Sequence, residues 1–497
     1  MKILHVSDSH VTNSEQFNLE SLQYALRELE EDDFDLFIHS GDVTNRAKRE
    51  QFDRAAELFS SVDVPRVIIP GNHDKRSGGL PMFKQKFGSP KGVKKIDDTL
   101  VVFLDSGVND QDDGRVGKLQ FNMLKENLSR HDGISTKIVV LHHHIIPIPW
   151  TGKERNVLSN AGDLLELFLR TDVDLVLSGH KHFPNSYKIE GTVFVNAGTV
   201  SDKKTRYGDT NSYNVIEIDR DRTRVKVKRD NGHEKTERYE RSEKRVFTDF
   251  GRKISRLAQI SNTFISDTYR FRSTTFEDGV SHLNELNPDL VVHAGGVVEE
   301  AIPKNYRLAR SLLDKINPPI VFTPASRDIN YLGYQLFKEN FGEMDQEYSL
   351  EGVYLKGISS AQYDSEEGII GETERARLFQ EMNVIGSKMK ILFLHHNVLP
   401  IPHSREKGLL EDGGDLLRGS VESEVDLVLT GTSSHPFATK INDTIVSNAN
   451  SFSSVYQRSL NGNSFNLIDI YEKAVVIFEI NCLWGTQKIL GIWERVR

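Results

Sequence analysis

At 497 residues the chain has room for two or three domains of ordinary size, about 100–250 residues each. Its 37% hydrophobic and 27% charged content is that of a globular protein with real cores, which excludes a disordered or fibrous chain. A formal charge of −9 argues against broad attraction to nucleic acid or anionic lipid, and the single cysteine, Cys482, excludes an intrachain disulfide or a thiolate metal cluster.

The chain opens on MKILHVSDSH, a strand-like run without the apolar core of a signal peptide, and no apolar run approaches the ~20 residues of a membrane span. The location expected from this is cytoplasmic. Residues 19–30 place Leu19, Leu22, Ala25, Leu26 and Leu29 on one face at helical spacing. The runs VVFLD, KIVVLHH, VDLVLSG and TVFVNAG then predict buried strands, and the alternation with helical stretches predicts an α/β layered domain.

The same strings return later in the chain. DLFIHSGD at 35–42 recurs as DLVVHAGG at 289–296, and VPRVIIPGNHD at 64–74 as PPIVFTPASRD at 318–328, both offset by 254. LHHHIIPIP at 141–149 recurs as LHHNVLPIP at an offset of 253, and VDLVLSG at 173–179 as VDLVLTG at 252. Ordered recurrence at a nearly constant offset predicts a tandem duplication. The expected domains are 1–245 and 251–497, divided near the charged run EKTERYERSEKRV at 234–246.

In the first copy, side chains suited to metal chemistry follow the strand-like runs. Asp8 and His10 follow ILHV, Asp42 follows LFIHSG, Asn72 and His73 follow VIIPG, His143 follows IVVLH, and His180 and His182 follow LVLSG. Ligand sites of open α/β sheets gather beyond the carboxyl ends of strands, so these loops predict one shared cluster. Gly41, Gly71 and Gly179 lie beside three of them and permit tight turns and close approach. Carboxylate, amide oxygen and imidazole suit Mn, Fe or Zn. Leaving His73 aside, the seven candidates exceed what one tetrahedral ion needs, whereas two divalent ions sharing a carboxylate would use them all. His5 and His39 lie within strands and read as structural. His142 and His144 flank His143, and a register shift of one within this triplet stays open. Trp150 could stack on a substrate ring or cap the core. Lys203, Lys204 and Arg206 either line an anionic substrate's approach or form a solvated cluster.

The segments D-S-H, G-D-V-T-N, G-N-H-D, H-H and G-H-K-H, in this order over residues 1–220, resemble the calcineurin-like metallophosphoesterase superfamily. Its class III cyclic-nucleotide and phosphodiester hydrolases are the most similar. The resemblance implies two tandem domains, each a mixed β-sandwich flanked by helices, with a dinuclear centre in the first. By motif position Asp8, His10 and His182 would hold one ion, Asn72, His143 and His180 the other, and Asp42 would bridge them. The implied chemistry is in-line attack on phosphorus by a hydroxide shared between ions ~3.5–4 Å apart. Asn72 would help orient the phosphoryl group and His73 would serve the leaving oxygen, with Asp74 fixing the His73 tautomer.

The second copy is expected to be catalytically dead. The offsets put Asn262 at the place of Asp8, Phe264 at His10, Gly296 at Asp42, Ser326 at Asn72, Arg327 at His73, and Thr432 and Ser434 at His180 and His182. Of the first-copy ligands, only His143 finds its own residue type, in His396. Preserved apolar strings with erased ligands predict a copy that packs against the first and supports it; a vacant pocket binding a phosphate-bearing effector is the other reading. The function expected of the whole is hydrolysis of a phosphoester, a small nucleotide or similar diester, at no membrane. A nuclease of the same superfamily is the alternative, disfavoured by the negative charge and the lack of a basic groove. A non-catalytic scaffold is a third, against which the intact ligand set weighs.

Overall fold

The computed structural model describes all residues except 132, 153–157, 242–248, 387, 405–407 and 496–497. The chain divides into two compact units, Met1–Lys244 and Arg245–Arg497. Among the described residues, no helix is long and apolar enough to cross a membrane.

In the first unit, β1 (Lys2–Val6), β2 (Leu36–His39) and β3 (Arg66–Ile68) alternate with α1 (Leu19–Glu31) and α2 (Arg49–Leu58). Then come α3 (Leu80–Phe87), β4 (Gly92–Ile96), β5 (Thr99–Phe103), α4 (Lys118–Arg130), β6 (Thr136–Val140), α5 (Ala161–Arg170) and β7 (Leu175–Ser178). Five strands close the unit: β8 (Asn185–Ile189), β9 (Thr192–Asn196), β10 (Ser212–Ile218), β11 (Arg222–Arg229) and β12 (Glu234–Glu240). They form two mixed sheets. One runs β12-β11-β10-β1-β2-β3, parallel from β1 to β3 and antiparallel beyond; the other runs β8-β9-β7-β6-β5-β4, with β9, β7, β6 and β5 parallel.

Strand periodicity explains the layers. Leu4, Val6 and Phe37 point into a cluster with Leu22, Ala25, Phe52 and Phe83 of the helices. Ile3, Leu36 and Ile38 point the other way, into a second cluster with Ile138, Val140, Leu175 and Leu177 of the facing sheet. Both faces of these strands are covered, so their sequences are nearly continuous apolar runs rather than alternating ones. Each such side chain, fully buried, contributes roughly 1.5–3 kcal/mol. Helix α1 matches the sequence expectation: Asn18 caps it by accepting the Ser21 amide at 3.3 Å, and Leu22 and Ala25 are buried. Leu19, Leu26 and Leu29 are partly buried against the same core.

The division between the units falls within the charged run at 234–246, which itself begins as a strand. Its first half is β12, paired antiparallel with β11, with Tyr239 buried and Lys226 and Lys228 facing Glu234 at 3.5 and 3.6 Å. Opposite charges across the two strands support this ribbon.

Among its described residues the second unit contains twelve strands. β13 (Lys253–Ile260), β14 (Leu290–His293) and β15 (Ile320–Phe322) are parallel, as β1, β2 and β3 are. β16 (Glu347–Leu350), β17 (Val353–Gly357), β18 (Met389–Phe393), β19 (Leu427–Thr430), β20 (Phe437–Ile441) and β21 (Thr444–Asn448) follow. The last are β22 (Ser464–Tyr471), β23 (Ala474–Asn481) and β24 (Gln487–Glu494). The orders β15-β14-β13-β22-β23-β24 and β16-β17-β18-β19-β21-β20 repeat those of the first unit strand for strand.

Candidate metal centre

Five loops at the C-terminal ends of parallel strands carry the candidate side chains. Asp8 and His10 follow β1, Asp42 follows β2, Asn72 and His73 follow β3, His142 and His143 follow β6, and His180 and His182 follow β7. Register keeps these ends level, pairing Val6 with His39, His39 with Ile68, and Val140 with Leu177. Asp8, His10, Asp42, His180 and His182 hold left-handed backbone, with φ of 53°, 43°, 54°, 75° and 53°. Conformations of this kind cost roughly 1–3 kcal/mol each and persist where the surroundings enforce them, as at ligand clamps. Two glycines make the crowding tolerable. A Cβ on Gly41, at φ +109°, would lie 2.4 Å from His142 Nδ1, and one on Gly71 would lie 2.0 Å from Asp42 Oδ1.

The polar atoms fall into two groups. In one, His182 Nε2 lies 3.0 Å from His10 Nε2 and 3.3 Å from Asp8 Oδ1. In the other, Asn72 Oδ1 lies 3.2 Å from His142 Nε2 and 3.2 Å from His180 Nδ1, and these two nitrogens are 3.3 Å apart. Asp42 Oδ2 is common to both, 3.6 Å from His10 Nε2 and 3.4 Å from His142 Nε2.

These contacts are unsatisfactory as hydrogen bonds. His142 Nδ1–H donates to the Ser40 carbonyl at 2.9 Å and His182 Nδ1–H to the Lys204 carbonyl at 2.7 Å. In the unprotonated rings that a bound cation requires, the Nε2 atoms would then be acceptors, turned toward Asn72 Oδ1, Asp42 Oδ2 and Asp8 Oδ1. Asp8 Oδ1 is buried with no partner of hydrogen-bond geometry. Nitrogen and oxygen atoms converging on two points, with one carboxylate oxygen shared, make a candidate donor set for divalent cations. Among the described residues, the clusters of His, Asp and Glu close enough to hold an ion all lie in this unit.

Charge in the cluster points the same way. Burial alone would raise Asp8 and Asp42, but His182 beside Asp8 and His142 and His73 beside Asp42 hold both carboxyls well below the usual range. Burial would lower His142, yet Asp42 lifts it to about 9. Burial and the rings of His143 and His142 keep His180 well below its ordinary value. Two buried carboxylates demand positive charge.

The sequence assigned His143 to the second group, and the structure corrects this to His142. Both ring nitrogens of His143 are engaged elsewhere: Nδ1 accepts the Ser106 hydroxyl at 2.9 Å and Nε2–H donates to the Asp112 carbonyl at 3.0 Å. Consecutive residues at a strand end point to opposite sides, so only one of the pair faces the centre. The tautomer of His73 is likewise not fixed by Asp74. The Asp74 carboxylate accepts from the amides of Val43, Thr44 and Gly71 and from the Thr44 hydroxyl. His73 Nδ1–H instead donates to the Asn45 carbonyl at 2.7 Å. His5 and His39 are structural, paired with Ser40 and Ser9 at 2.9 Å each.

A cavity of about 430 Å³ opens on the cluster, with Arg76, Lys204 and Arg206 in its wall. Lys203 does not line it, and neither does Trp150, which stacks on Tyr207 at 4.9 Å and meets Phe183 edge-on at 5.3 Å. Sequence reasoning missed Asn45, Arg76 and Asp112. The acidic stretch DQDDGR at 110–115 follows β5, at the same end of the sheet, and its position was the available signal.

In the second unit the backbone of the site survives without its chemistry. Asn262, Phe264 and Gly296 keep positive φ of 49°, 46° and 73°. Asp328, at the place of Asp74, accepts from the amides of Gly296, Val298 and Ala325 at 2.8, 3.0 and 2.8 Å. The histidine pair repeats as well. His395 Nδ1–H donates to Ala294 at 2.7 Å as His142 does to Ser40, and His396 engages Ser360 and the Glu366 carbonyl as His143 engages Ser106 and Asp112. The retained counterpart of a ligand-facing residue is thus His395, and His396 matches the bypassed His143.

A two-sheet sandwich with such a cluster at its parallel strand ends defines a class, and comparison agrees with it. The family model of the calcineurin-like phosphoesterases matches residues 1–184, and this similarity supports a phosphoester hydrolase in the first unit. Among its relatives is the 3',5'-cyclic adenosine monophosphate phosphodiesterase CpdA of Haemophilus influenzae, 28% identical over 192 residues, 37% of this chain and 70% of that one. The enzyme of the same name from Escherichia coli strain K12 is 27% identical over 192 residues with the same coverage of both chains. The glycerophosphodiester phosphodiesterase GpdQ of Enterobacter lignolyticus is 26% identical over 202 residues, 37% of this chain and 71% of that one.

Proposed function

We propose that the first unit binds two divalent ions and hydrolyses a small phosphodiester, a cyclic nucleotide or a similar diester. The observation that carries this reading is the pair of facing acceptor groups that share Asp42 Oδ2. Asp8, His10 and His182 would hold one ion, Asn72, His142 and His180 the other, and Asp42 both. Mn, Fe and Zn all suit these donors. When bound, such a pair supplies Lewis acidity at the phosphoryl oxygens and a nucleophile at neutral pH.

The protein's own groups set the remaining terms. Asp42 Oδ1 accepts the His73 amide at 2.8 Å, which stops the carboxylate from rotating and leaves Oδ2 to the centre. The Asn45 carbonyl holds His73 with Nδ1–H inward, so Nε2 carries the exchangeable proton for the leaving oxygen. Burial first, and the His10 ring after it, keep His73 below its ordinary value, with Asp42 opposing. An anionic phosphoryl group arriving beside it favours its protonated form. Arg76, Lys204 and Arg206 give the cavity wall positive charge for an anionic ligand. A volume of about 430 Å³ suits a small molecule, and the names of the relatives favour a cyclic nucleotide or glycerophosphodiester over a polymer.

We read residues 251–497 as a duplicated, non-catalytic copy that packs against residues 1–245 and supports them. Its repeated strand order, kept apolar strings and replaced ligands are the support for this. A cytoplasmic location belongs to the same reading. A soluble, monomeric, fully active 1–245 fragment with unchanged melting temperature would overturn the supporting role.

The test of function is a panel of cyclic nucleotides, glycerophosphodiesters, a chromogenic diester and single-stranded DNA, with Mn²⁺ added. Metal-dependent turnover of small diesters, abolished by Asp42→Asn, is expected. A preference for single-stranded DNA makes the protein a nuclease, and two bound ions without turnover make it a scaffold.

A further inference from the structure

Asn72 faces two ways, and only one of them suits a cation. Its Oδ1 lies 3.2 Å from both His142 Nε2 and His180 Nδ1, while its Nδ2 lies 3.0 Å from Asp112 Oδ1. A carboxylate only accepts, so the amide end turned to Asp112 must be the NH₂ and the end turned to the histidines the oxygen. Reversed, the amide would present two N–H groups to the point where the lone pairs of His142 and His180 converge.

Asp112 is well exposed, at 62% of its side chain, yet it is held in place. Arg76 donates to the same Oδ1 at 2.9 Å. Its main-chain carbonyl takes His143 Nε2–H at 3.0 Å, and the other nitrogen of that ring takes the Ser106 hydroxyl at 2.9 Å. His143, turned away from the centre, is thus a strut across the loop that carries Asp112. The second unit keeps the strut, with His396 between Ser360 and Glu366, but has Ser326 where Asn72 would stand. The strut belongs to the shared architecture; the carboxylate-to-amide bond is peculiar to the unit with the ligands.

We infer that Asp112 is a positioning residue that locks the Asn72 amide with its oxygen toward His142 and His180, and so sets how tightly that half of the centre holds its ion. This rests on the two-ion reading above. The geometry requires an acceptor at position 112 and does not require a charge.

The experiment is calorimetric titration of the metal-free full-length chain with Mn²⁺, together with the visible spectrum of its Co²⁺ form, for wild type, Asp112→Ala and Asp112→Asn. Asp112→Ala is expected to weaken one of two binding steps by roughly 10–100-fold and to alter the Co²⁺ spectrum. The other step and the metal-free melting temperature should hold. Asp112→Asn, whose amide oxygen accepts the same bond, should restore wild-type binding and spectrum. Wild-type binding in Asp112→Ala, an Asp112→Asn as weak as Asp112→Ala, or a lowered metal-free melting temperature in Asp112→Ala would each overturn the inference while leaving the two-ion reading intact. Fewer than two ions in wild type would remove both.

Discussion

Arg327 lays its guanidinium 4.7 Å from the centre of the Phe264 ring, at the two positions where the first unit sets His73 edge-on to His10 with ring centroids 4.5 Å apart. One unit closes the space with a cation on an aromatic face, a contact complete in itself. The other leaves imidazole nitrogens facing acceptors, a contact that needs a further partner.

Metal content should therefore be that of one centre. Metal analysis of the full chain saturated with Mn²⁺ is expected to find two ions, with one or both lost from the first unit's ligand variants and neither from the second unit's. His395→Ala, which alters the one counterpart of a ligand-facing residue that survives there, should leave the count unchanged. A drop in bound metal in His395→Ala would mean that the second unit takes up an ion after all.

Within the HH pair the roles should separate. His142→Ala removes a nitrogen that faces Asn72 and Asp42, and should cost an ion and nearly all turnover. His143→Ala removes a strut and no ligand, and should keep both ions with metal affinity reduced about 10–100-fold at most. Parallel metal analysis and turnover of the two variants check this, and the opposite ranking would restore His143 to the centre.

His73 should matter in proportion to the leaving group. With Nδ1–H held by Asn45 and no ion expected on it, His73→Ala should keep its metal. Turnover of an alkyl diester should fall by roughly 10²–10⁴, with a smaller loss for an aryl diester whose oxygen departs without a proton. Equal losses on both substrates would remove His73 from that role.

Acid should weaken the second unit. Burial pushes His293 and His395 down to about 3 and His396 to about 4, with the neighbouring His396 adding to the effect on His395. As pH falls below the ordinary histidine value of about 6.5, the unfolded chain takes up protons that these folded rings refuse. Stability is then lost at up to about 1.4 kcal/mol per pH unit for each group, down to their folded values. Asp328, raised by burial to about 6, binds its proton earlier when folded and opposes the trend below that pH, but as one group against three. In Trp150→Phe the remaining tryptophans, Trp484 and Trp493, both belong to this unit. Its fluorescence melting temperature should fall from pH 7 to 5, less steeply when His293→Gln is added. A flat profile would show that the rings are not kept neutral.

Patterns local in the chain were enough for a good deal of this protein. Apolar runs located β1, β2, β6 and β7, helical spacing located α1, and the order of Asp, Asn and His after those runs marked the loops of the centre, because strand ends and their side chains are adjacent in sequence. What needed the tertiary structure was direction and partnership. Sequence order could not say which of His142 and His143 faces inward, since one residue's shift on a strand reverses the side. It placed Asp74 beside His73, but the Asp74 carboxylate is spent on backbone amides and the carbonyl of Asn45, 28 residues away, fixes the ring. Asp112 lies 40 residues from Asn72, and nothing local links them. Packing two sheets with their strand ends level is what brings such distant groups within hydrogen-bond reach, and that proximity exists only in the folded chain.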